Sequence, residues 1–263
     1  MAVIKSINTR PYREVNCFLV GGQSNADGRN VYTDPATPSY IDTSNGLITD
    51  VYAYSRGIKP YAISESGLKG NGNNIFNQWS FAQVALHLLS QSLTAVTACQ
   101  WTVGDSQLAA TPSHAAGSWN SAYDSIATNT PHHLQNLQTR FEGFKSFCDS
   151  NGITLNVRGL IWHQGESDNF SPADTDYAAN WSALVSTVRT FTGEPNLPIF
   201  YGTVSDQSPD YNATIRSAML NFAAGDSNAY CRDNNDLVGL HWDGAGSVTF
   251  GTWVYDTYIA NYA

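Results

Sequence analysis

Short apolar runs and longer stretches of helical periodicity alternate along most of this chain. The first apolar run, at 16–20, ends at Gly21-Gly22, which is typical of a buried strand. Apolar residues at helical spacing then predict a helix over 81–93, and the apolar run at 95–101 predicts a second strand. The chain therefore opens with the order strand, helix, strand.

The same alternation continues to the end of the chain. Helices are predicted over 131–150, 172–192, 211–224 and 245–262, and strands over 155–162 and 199–204. The segment 28–79 differs, because it is rich in Gly, Asn, Ser and Tyr and is predicted as loops with short strands. Strands that alternate with helices of this length predict right-handed crossovers and a parallel sheet within a three-layer α/β/α fold.

Polar residues follow each predicted strand at its carboxyl end. They are Gln23-Ser24 after the first strand, Gly104-Asp105-Ser106 after the second, Gln164-Gly165-Glu166 after the third and Asp206 after the fourth. Ligand sites of open parallel sheets lie beyond the carboxyl ends of the strands, so these loops are expected at one edge. His241 precedes the last predicted helix and reaches the same edge if that helix packs beside the first strand.

Ser24 and His241 together indicate ester hydrolysis. A serine hydroxyl is a poor nucleophile at neutral pH, so it needs a histidine base, a group that orients the imidazole and donors for the oxyanion. A serine after a strand is more commonly a helix N-cap, and a lone histidine is more commonly structural. The presence of both residues favours the catalytic interpretation, because an N-cap serine does not require His241.

Three blocks of this sequence resemble a known family. They are Gly22-Gln23-Ser24-Asn25, the His-Gln-Gly-Glu-Ser-Asp block at 163–168 and the late His241. Together they resemble the SGNH hydrolases, and within them the sialate O-acetylesterase and acetylxylan esterase branch known as carbohydrate esterase family 6. The resemblance spans roughly 16–251. It implies the SGNH (flavodoxin-like) hydrolase fold and a metal-independent serine esterase with Ser24 as nucleophile and His241 as base.

The group that orients His241 is open between three choices. Family members commonly place Asp three residues before the catalytic histidine, where this chain has Val238, and often Met where this chain has Ala26. The resemblance implies Glu166 as the acid, because some members use the glutamate of the Gln-Gly-Glu block; its structural alternative is a helix N-terminal carboxylate. Asp236, five residues before His241, is the alternative acid, and a backbone carbonyl is the third choice.

The resemblance also implies the oxyanion donors. They are the backbone N–H groups of Ser24 and Gly104 and the side-chain amide of Gln164, which replaces the asparagine of other SGNH branches. The structural alternatives are a plain turn glycine at 104 and an amide at 164 that only ties loops together. Four aromatic residues are candidates for a sugar-stacking rim: Tyr54, Trp79, Trp119 and Trp242. None is assigned a ligand role, because aromatic side chains more often lie in the core.

Composition narrows the class of partner. The 263 residues contain nothing that looks like a linker between the main blocks, so a single domain spanning 1–263 is expected. Charged residues make up only 13% of the chain, which predicts a polar but largely uncharged surface suited to neutral polar partners. The resemblance implies that the partner is an acetylated carbohydrate. A net charge of -9 without a basic patch argues against a nucleic-acid or anionic-membrane partner.

Cofactors and location follow from the same inventory. No metal or other cofactor is expected, because no His, Asp and Glu cluster has convincing ligand spacing and the four cysteines form no Cys-x-x-Cys pair. Cys17 and Cys99 fall within apolar runs and are interpreted as small buried hydrophobes, with a disulfide bond as the alternative. Neither a signal peptide nor an apolar run of membrane-spanning length is evident. An extracellular or particle-associated location is favoured. The protein would then have lost a leader after secretion, or would leave the cell by lysis or as part of a particle.

The sequence therefore predicts a serine esterase that removes O-acetyl groups from a polysaccharide through an acetyl-serine intermediate. The alternative within hydrolases is a short-chain esterase or lipase that acts on non-sugar esters. The alternative from another class is a catalytically inert glycan-binding module of a phage tail or surface protein. The presence of Ser24 favours the enzyme over the inert module.

Overall fold

A computed structural model describes residues 13–28, 30–31, 35–42, 47–54, 58–62, 78–113, 115–123 and 131–263. The strands are β1 (Glu14–Gly22), β2 (Asn30–Val31), β3 (Ile41–Asp42), β4 (Leu47–Tyr54), β5 (Ile58–Ala62), β6 (Gln78–Trp79), β7 (Val96–Thr102), β8 (Thr154–His163), β9 (Ile199–Gly202) and β10 (Ala229–Arg232). The helices are α1 (Ser24–Asp27), α2 (Phe81–Ser92), α3 (His133–Ser150), α4 (Ala173–Thr192), α5 (Ala213–Gly225) and α6 (Gly244–Tyr262), with a 3-10 turn at Glu166–Asp168.

The main sheet has the strand order β10-β9-β8-β1-β7-β4-β3, with β5 paired to β4. Neighbours from β10 to β4 run parallel, whereas β3 and β5 are antiparallel to β4. The predicted parallel sheet is confirmed, and every predicted helix and strand lies within two residues of its observed ends. The sequence patterns predicted neither the edge strand β10 nor the short helix α1.

Side chains of the central strand β1 alternate between two cores. Val15, Cys17 and Leu19 belong to one core, which α3, α4 and α5 cover. Phe18 and Val20 belong to the other, which α2 and α6 cover. Each fully buried large apolar side chain contributes about 1.5–3 kcal/mol relative to exposure, so burial on both faces stabilises the three-layer arrangement. The predicted three-layer α/β/α fold is thereby confirmed.

Local chemistry explains where the helices begin and end. The Ser80 and Gln83 side chains form a capping box at the start of α2. The Asp243 carboxylate accepts a 2.7 Å hydrogen bond from the Gly246 N–H and caps α6. Gly193, with φ of 75°, ends α4 in the left-handed conformation that glycine adopts without steric cost. Within the described residues, no helix has both the length and the apolar character that crossing a membrane requires.

Helix α6 packs beside the first strand, which was the condition for His241 to reach the carboxyl edge. Tyr258 of α6 meets Phe18 of β1 edge to face at 5.3 Å between ring centroids. A Cβ at Gly251 would lie 2.6 Å from the Phe81 carbonyl oxygen, so glycine permits α6 and α2 to approach closely. The loop that ends at Asp243 is consequently brought to the edge where β1 ends.

The predicted burial of Cys17 and Cys99 is confirmed. Both are fully buried on the neighbouring strands β1 and β7, and their sulfur atoms lie 3.8 Å apart. A disulfide bond has a sulfur separation of about 2.05 Å. The two residues are free thiols that pack as small apolar side chains in the first core.

Candidate active site

Ser24 lies on a sharp turn between the central strand β1 and helix α1. The turn requires Gly22, whose φ is +122° and where a Cβ would lie 2.1 Å from the His163 carbonyl oxygen. That carbonyl accepts a 2.9 Å hydrogen bond from the Gln23 N–H, which ties the turn to the end of β8. Gln23 occupies the N-cap position and Ser24 is the first helical residue, 4% exposed. The hydroxyl of Ser24 has no hydrogen-bond partner among the described residues.

Gly104 lies beside this turn, on the loop that follows β7. The register pairs Gly22 with Thr102, and the Val103 N–H donates to the Gly22 carbonyl oxygen at 3.1 Å. Ser106 stiffens the loop, because its hydroxyl donates to the Val103 carbonyl at 2.7 Å and accepts from the Trp119 indole at 2.8 Å. The half-buried Gly104 backbone is therefore held at the same edge as Ser24. Its role as an oxyanion donor stays a prediction.

The side chain of Gln164 is fully buried and bonded on all sides. Its amide nitrogen donates to the Gln23 side-chain oxygen at 3.3 Å, to the Ser106 carbonyl at 3.3 Å and to the Asp168 carboxylate. Its amide oxygen accepts from the Tyr177 hydroxyl at 3.2 Å. These contacts tie three loops together, which was the structural alternative. Oxyanion donation by Gln164 stays a prediction.

Asp168 joins the loop after β8 to the loop after β7. Its fully buried carboxylate accepts hydrogen bonds from the backbone N–H groups of Leu108 and Ala109 at 2.9 and 3.0 Å. Burial raises the pKa of Asp168 to about 6, although these donors favour the ionised form. The sequence patterns assigned no role to this residue. Its only signal was its place at the end of the 163–168 block.

Glu166 is a buried carboxylate that contacts the nucleophile turn. Its Oε1 atom accepts from the Asn25 side-chain amide at 2.9 Å and from the His163 ring at 2.8 Å. Burial opposes ionisation, but the neighbouring His163 and these hydrogen bonds hold the pKa of Glu166 below its usual value. Its Oε2 atom is buried and has no hydrogen-bond partner in the described part of the chain. One oxygen of the carboxylate that contacts Asn25 is thus left without a donor in this part of the structure.

His163 is a second residue to which sequence reasoning assigned no role. It is fully buried at the end of β8, with its ring centroid 4.4 Å from that of Trp242. An ionised carboxylate can only accept hydrogen bonds, so the His163 Nε2 atom is protonated and donates a hydrogen bond to Glu166. The ring is therefore the second donor, beside Asn25, to the same oxygen of Glu166. Its signal in the sequence was a histidine directly after a buried apolar run.

His241 lies exposed on the loop before α6, and Asn25 holds the residues on either side of it. The Asn25 amide nitrogen donates to the Leu240 carbonyl at 3.0 Å, and its oxygen accepts from the Trp242 N–H at 3.1 Å. The structure therefore brings together the Ser24 turn, Glu166 and the loop that carries His241. Hydrogen bonds between a nucleophile and its base are often long or poorly aligned before substrate binds.

Asp236, the alternative acid, forms an ion pair with Arg232. Its two oxygens accept from the Arg232 guanidinium at 2.8 and 2.7 Å, and its side chain is 58% exposed. Arg232 holds the pKa of Asp236 below its usual value. Val238, where the family commonly has Asp, is 67% exposed. The contacts of this loop therefore favour Glu166 over Asp236, and the identity of the acid stays a prediction.

Of the four aromatic residues that were candidates for a sugar-stacking rim, three lie in the cores and the side chain of one is not described. Trp79, Trp119 and Trp242 are at most 4% exposed and pack in the cores. The indole of Trp79 donates to the Thr37 hydroxyl at 3.1 Å, which further commits it to the protein interior. The side chain of Tyr54 lies outside the described residues. No group of three or more His, Cys, Asp or Glu side chains in the described ranges is arranged to hold a metal ion.

The model of the family described as "Carbohydrate esterase, sialic acid-specific acetylesterase" matches residues 14–260. The chain belongs to this family. The predicted family resemblance is confirmed, and the chain is a carboxylic ester hydrolase that removes O-acetyl groups from carbohydrate. A search among curated proteins found no significant match.

Solved structures share the fold at low sequence identity. An Arabidopsis thaliana protein superposes with a TM-score of 0.70 and 18% identity, covering 95% of this chain and 100% of that one. NanS gives 0.66 and 13%, covering 94% and 97%. A carbohydrate acetylesterase from Xanthomonas citri gives 0.57 and 14%, covering 91% of this chain and 54% of that one. At these identities the similarity establishes the fold, and the family match carries the function.

Proposed function

We propose that this esterase deacetylates a polysaccharide through an acetyl-serine intermediate, with Ser24 as nucleophile, His241 as base and Glu166 as the acid that orients the base. The observation that carries the proposal is the set of hydrogen bonds that Asn25 makes with Glu166 and with the two residues that flank His241. Asn25 directly follows Ser24 in the chain. A nucleophile, a base loop and a carboxylate thereby meet at the carboxyl end of the central strand, where open parallel sheets bind ligands.

The choice of Glu166 rests on its environment. Its Oε2 atom is buried and without a partner in the described residues, so it can accept the second ring N–H of His241 when that ring engages Ser24. An ionised carboxylate there stabilises the imidazolium that forms during the attack. Asp236 is half-exposed, and both of its oxygens are occupied by Arg232. Diverting Asp236 to His241 would break this ion pair.

The reaction then follows in two steps. His241 takes the proton from the Ser24 hydroxyl as the oxygen attacks the acetyl carbonyl carbon, and the tetrahedral intermediate collapses with protonation of the departing sugar oxygen by His241. Water, deprotonated by His241, next attacks acetyl-Ser24 and releases acetate, while the proton returns to the Ser24 oxygen. The backbone N–H groups of Ser24 and Gly104 are the oxyanion donors we propose. Gln164 is a weaker candidate, because its amide protons are engaged within the protein.

The substrate class follows from the family and from charge. We propose a single catalytic domain over 1–263 that acts on an acetylated polysaccharide of low charge and binds no nucleic acid. The net charge of -9 repels polyanions, and the low fraction of charged residues suits a neutral glycan. The matching family is described as a carbohydrate esterase, which supports a sugar ester over a non-sugar ester.

Acetate release across acetylated xylan, pectin, sialate and bacterial polysaccharides tests this proposal. We expect the purified chain to release acetate from a neutral polysaccharide faster than from a synthetic phenyl ester at equal acetyl concentration, and a chelator to leave the rate unchanged. Ser24→Ala should abolish release and prevent labelling by an organophosphonate. Ser217→Ala, on the exposed face of α5, is the matched control and should behave as wild type. A Ser24→Ala variant with the wild-type rate would refute the mechanism.

A further inference from the structure

A single amide side chain holds both peptide groups that flank the candidate base. The Leu240 carbonyl belongs to the peptide bond before His241, and the Trp242 N–H belongs to the peptide bond after it. Asn25 donates to the first at 3.0 Å and accepts from the second at 3.1 Å. Two such bonds restrict the backbone of His241 on both sides, and therefore the direction in which its side chain leaves the chain.

The orientation of this amide is determined by its partners. The Trp242 N–H can only donate, so the atom that faces it is the Asn25 oxygen. The Leu240 carbonyl and the Glu166 carboxylate can only accept, so the atom between them is the amide nitrogen. All three contacts agree with one orientation and disagree with the flipped one. Asn25 is 5% exposed, so water cannot readily replace these partners.

Asn25 also stands in the chain directly after Ser24, within the same short helix α1. The residue beside the nucleophile therefore also sets the place of the loop that carries His241. Glu166 holds Asn25 in turn, and His163 holds Glu166. The Oε1 atom of Glu166 accepts one hydrogen bond from the Asn25 amide and one from the His163 ring. One buried side chain consequently links the turn that carries Ser24 to the loop that carries His241.

We infer that Asn25 is the positioning residue of this site, which sets His241 against Ser24 by binding both of its flanking peptide groups and does not itself touch the substrate. The inference rests on the proposed function, since it presumes that Ser24 and His241 are the nucleophile and base. Misplacement of a reacting group by about 1 Å can cost on the order of 100-fold in rate. Loss of Asn25 should therefore lower kcat and leave KM nearly unchanged.

Two substitutions test the two features of the amide. Asn25→Ala removes every bond. Asn25→Asp keeps the shape and the acceptor for Trp242, but replaces the donor by an oxygen that faces the Glu166 carboxylate and the Leu240 carbonyl. We expect each variant to lose about 100-fold in kcat with KM within about threefold, and the rate of organophosphonate labelling of Ser24 to fall in parallel.

Asn120 provides the matched control. It is 4% exposed, its amide donates to the Leu108 carbonyl at 3.1 Å, and its oxygen accepts from the Ala122 N–H at 2.9 Å. Asn120→Ala thus removes the same kinds of bond from another loop and should keep the labelling rate of Ser24 close to wild type. Rates are compared at equal folded fraction, from thermal melting curves. Should the alanine variant of Asn25 not fold, the isosteric aspartate variant supplies the comparison.

Three results would overturn the inference. One is a kcat within fivefold of wild type for Asn25→Ala or Asn25→Asp. Another is an equal loss of labelling rate in Asn120→Ala. The third is a loss expressed in KM with kcat unchanged. Failure of the proposed function is a separate result, because it appears in Ser24→Ala, which would then turn over like the wild type whatever Asn25 does.

Discussion

The two loops that complete the site differ in how they are held. The loop at 163–168, which we call the acid loop because it carries the proposed acid Glu166, is buried: His163, Gln164 and Asp168 are fully inaccessible and Glu166 is 3% exposed. The loop at 233–243, which we call the base loop because it carries the proposed base His241, is anchored near its ends and exposed in the middle, where Val238 is 67% exposed. The acid loop is therefore built for a fixed carboxylate. The base loop depends on a few anchors, among them Asn25, to keep His241 in place.

The largest expected effect compares the carboxylates of the two loops. Glu166→Gln should lower kcat by about 10⁴-fold, equivalent to about 5.5 kcal/mol of transition-state stabilisation, because an amide cannot stabilise the imidazolium. Asp236→Asn should have a much smaller effect, since Asp236 is bound to Arg232. Both are measured as kcat for acetate release at equal folded fraction. If Asp236→Asn lowered kcat severely and Glu166→Gln lowered it only mildly, the acid would be Asp236 of the base loop.

The next largest effect is expected on stability, from a substitution in the turn that carries Ser24. Gly22→Ala should cost more than about 4 kcal/mol of unfolding free energy or prevent folding, because its Cβ would meet the His163 carbonyl oxygen at 2.1 Å. Gly152→Ala is the control, since its φ is also positive at +63° but no atom lies within 4 Å of the added Cβ. It should cost about 1–2 kcal/mol. Urea denaturation of both variants measures the difference, and similar costs would contradict the predicted clash.

The buried acid loop should also leave a signature in the pH dependence of stability. The pKa of Asp168 is raised to about 6 by burial, so the folded state binds this proton more tightly than the unfolded state does. Its contribution to stability is present below the ordinary pKa of about 4 and is lost as pH rises through about 6, by about 3 kcal/mol. Asp168→Asn should remove this fall, as measured by urea unfolding across pH 4 to 7.5.

Asp176→Asn is the control for that experiment, because Asp176 is exposed on α4. It should keep the wild-type fall in stability between pH 4 and 6. Glu166 acts in the opposite direction: its pKa is lowered, so its contribution is present at neutral pH and is lost as pH falls through the folded-state value. An Asp168→Asn variant with an unchanged pH profile would contradict the assignment of this fall to Asp168.

The smallest effect is expected in the exposed middle of the base loop. Val238→Asp introduces the residue that the family commonly has there, but at a solvent-exposed position. With Glu166 as the acid, kcat should stay within about threefold of wild type and stability within about 0.5 kcal/mol. The informative comparison adds Val238→Asp to Glu166→Gln. Recovery of kcat by more than tenfold would mean that a carboxylate on the base loop can take over the role.

Sequence reasoning reached the fold because its signals are local. Apolar periodicity located the strands and helices to within two residues, and the order of elements implied the parallel sheet. The edge strand β10 was not predicted, because Ala229–Arg232 has only four residues, too few to show a periodic pattern, and is only partly buried. Helix α1 was not predicted for the same reason, since Ser24–Asp27 is a single turn. Both are elements that neighbours in space stabilise more than their own sequence does.

For the site, the sequence by itself determined which chemical groups stand at the carboxyl ends of the strands: Ser24, Gly104, Gln164 and Glu166, with His241 ahead of the last helix. That followed from chain direction alone, because parallel strands end at one edge. Only the tertiary structure decided which groups meet. Asn25 and Glu166 are separated by 141 positions, and Asn25 and Trp242 by 217. No local pattern encodes such pairs. The crossovers of the chain and the packing of the cores bring loops that are distant in sequence together at the edge of the sheet, and this proximity decides which groups form hydrogen bonds.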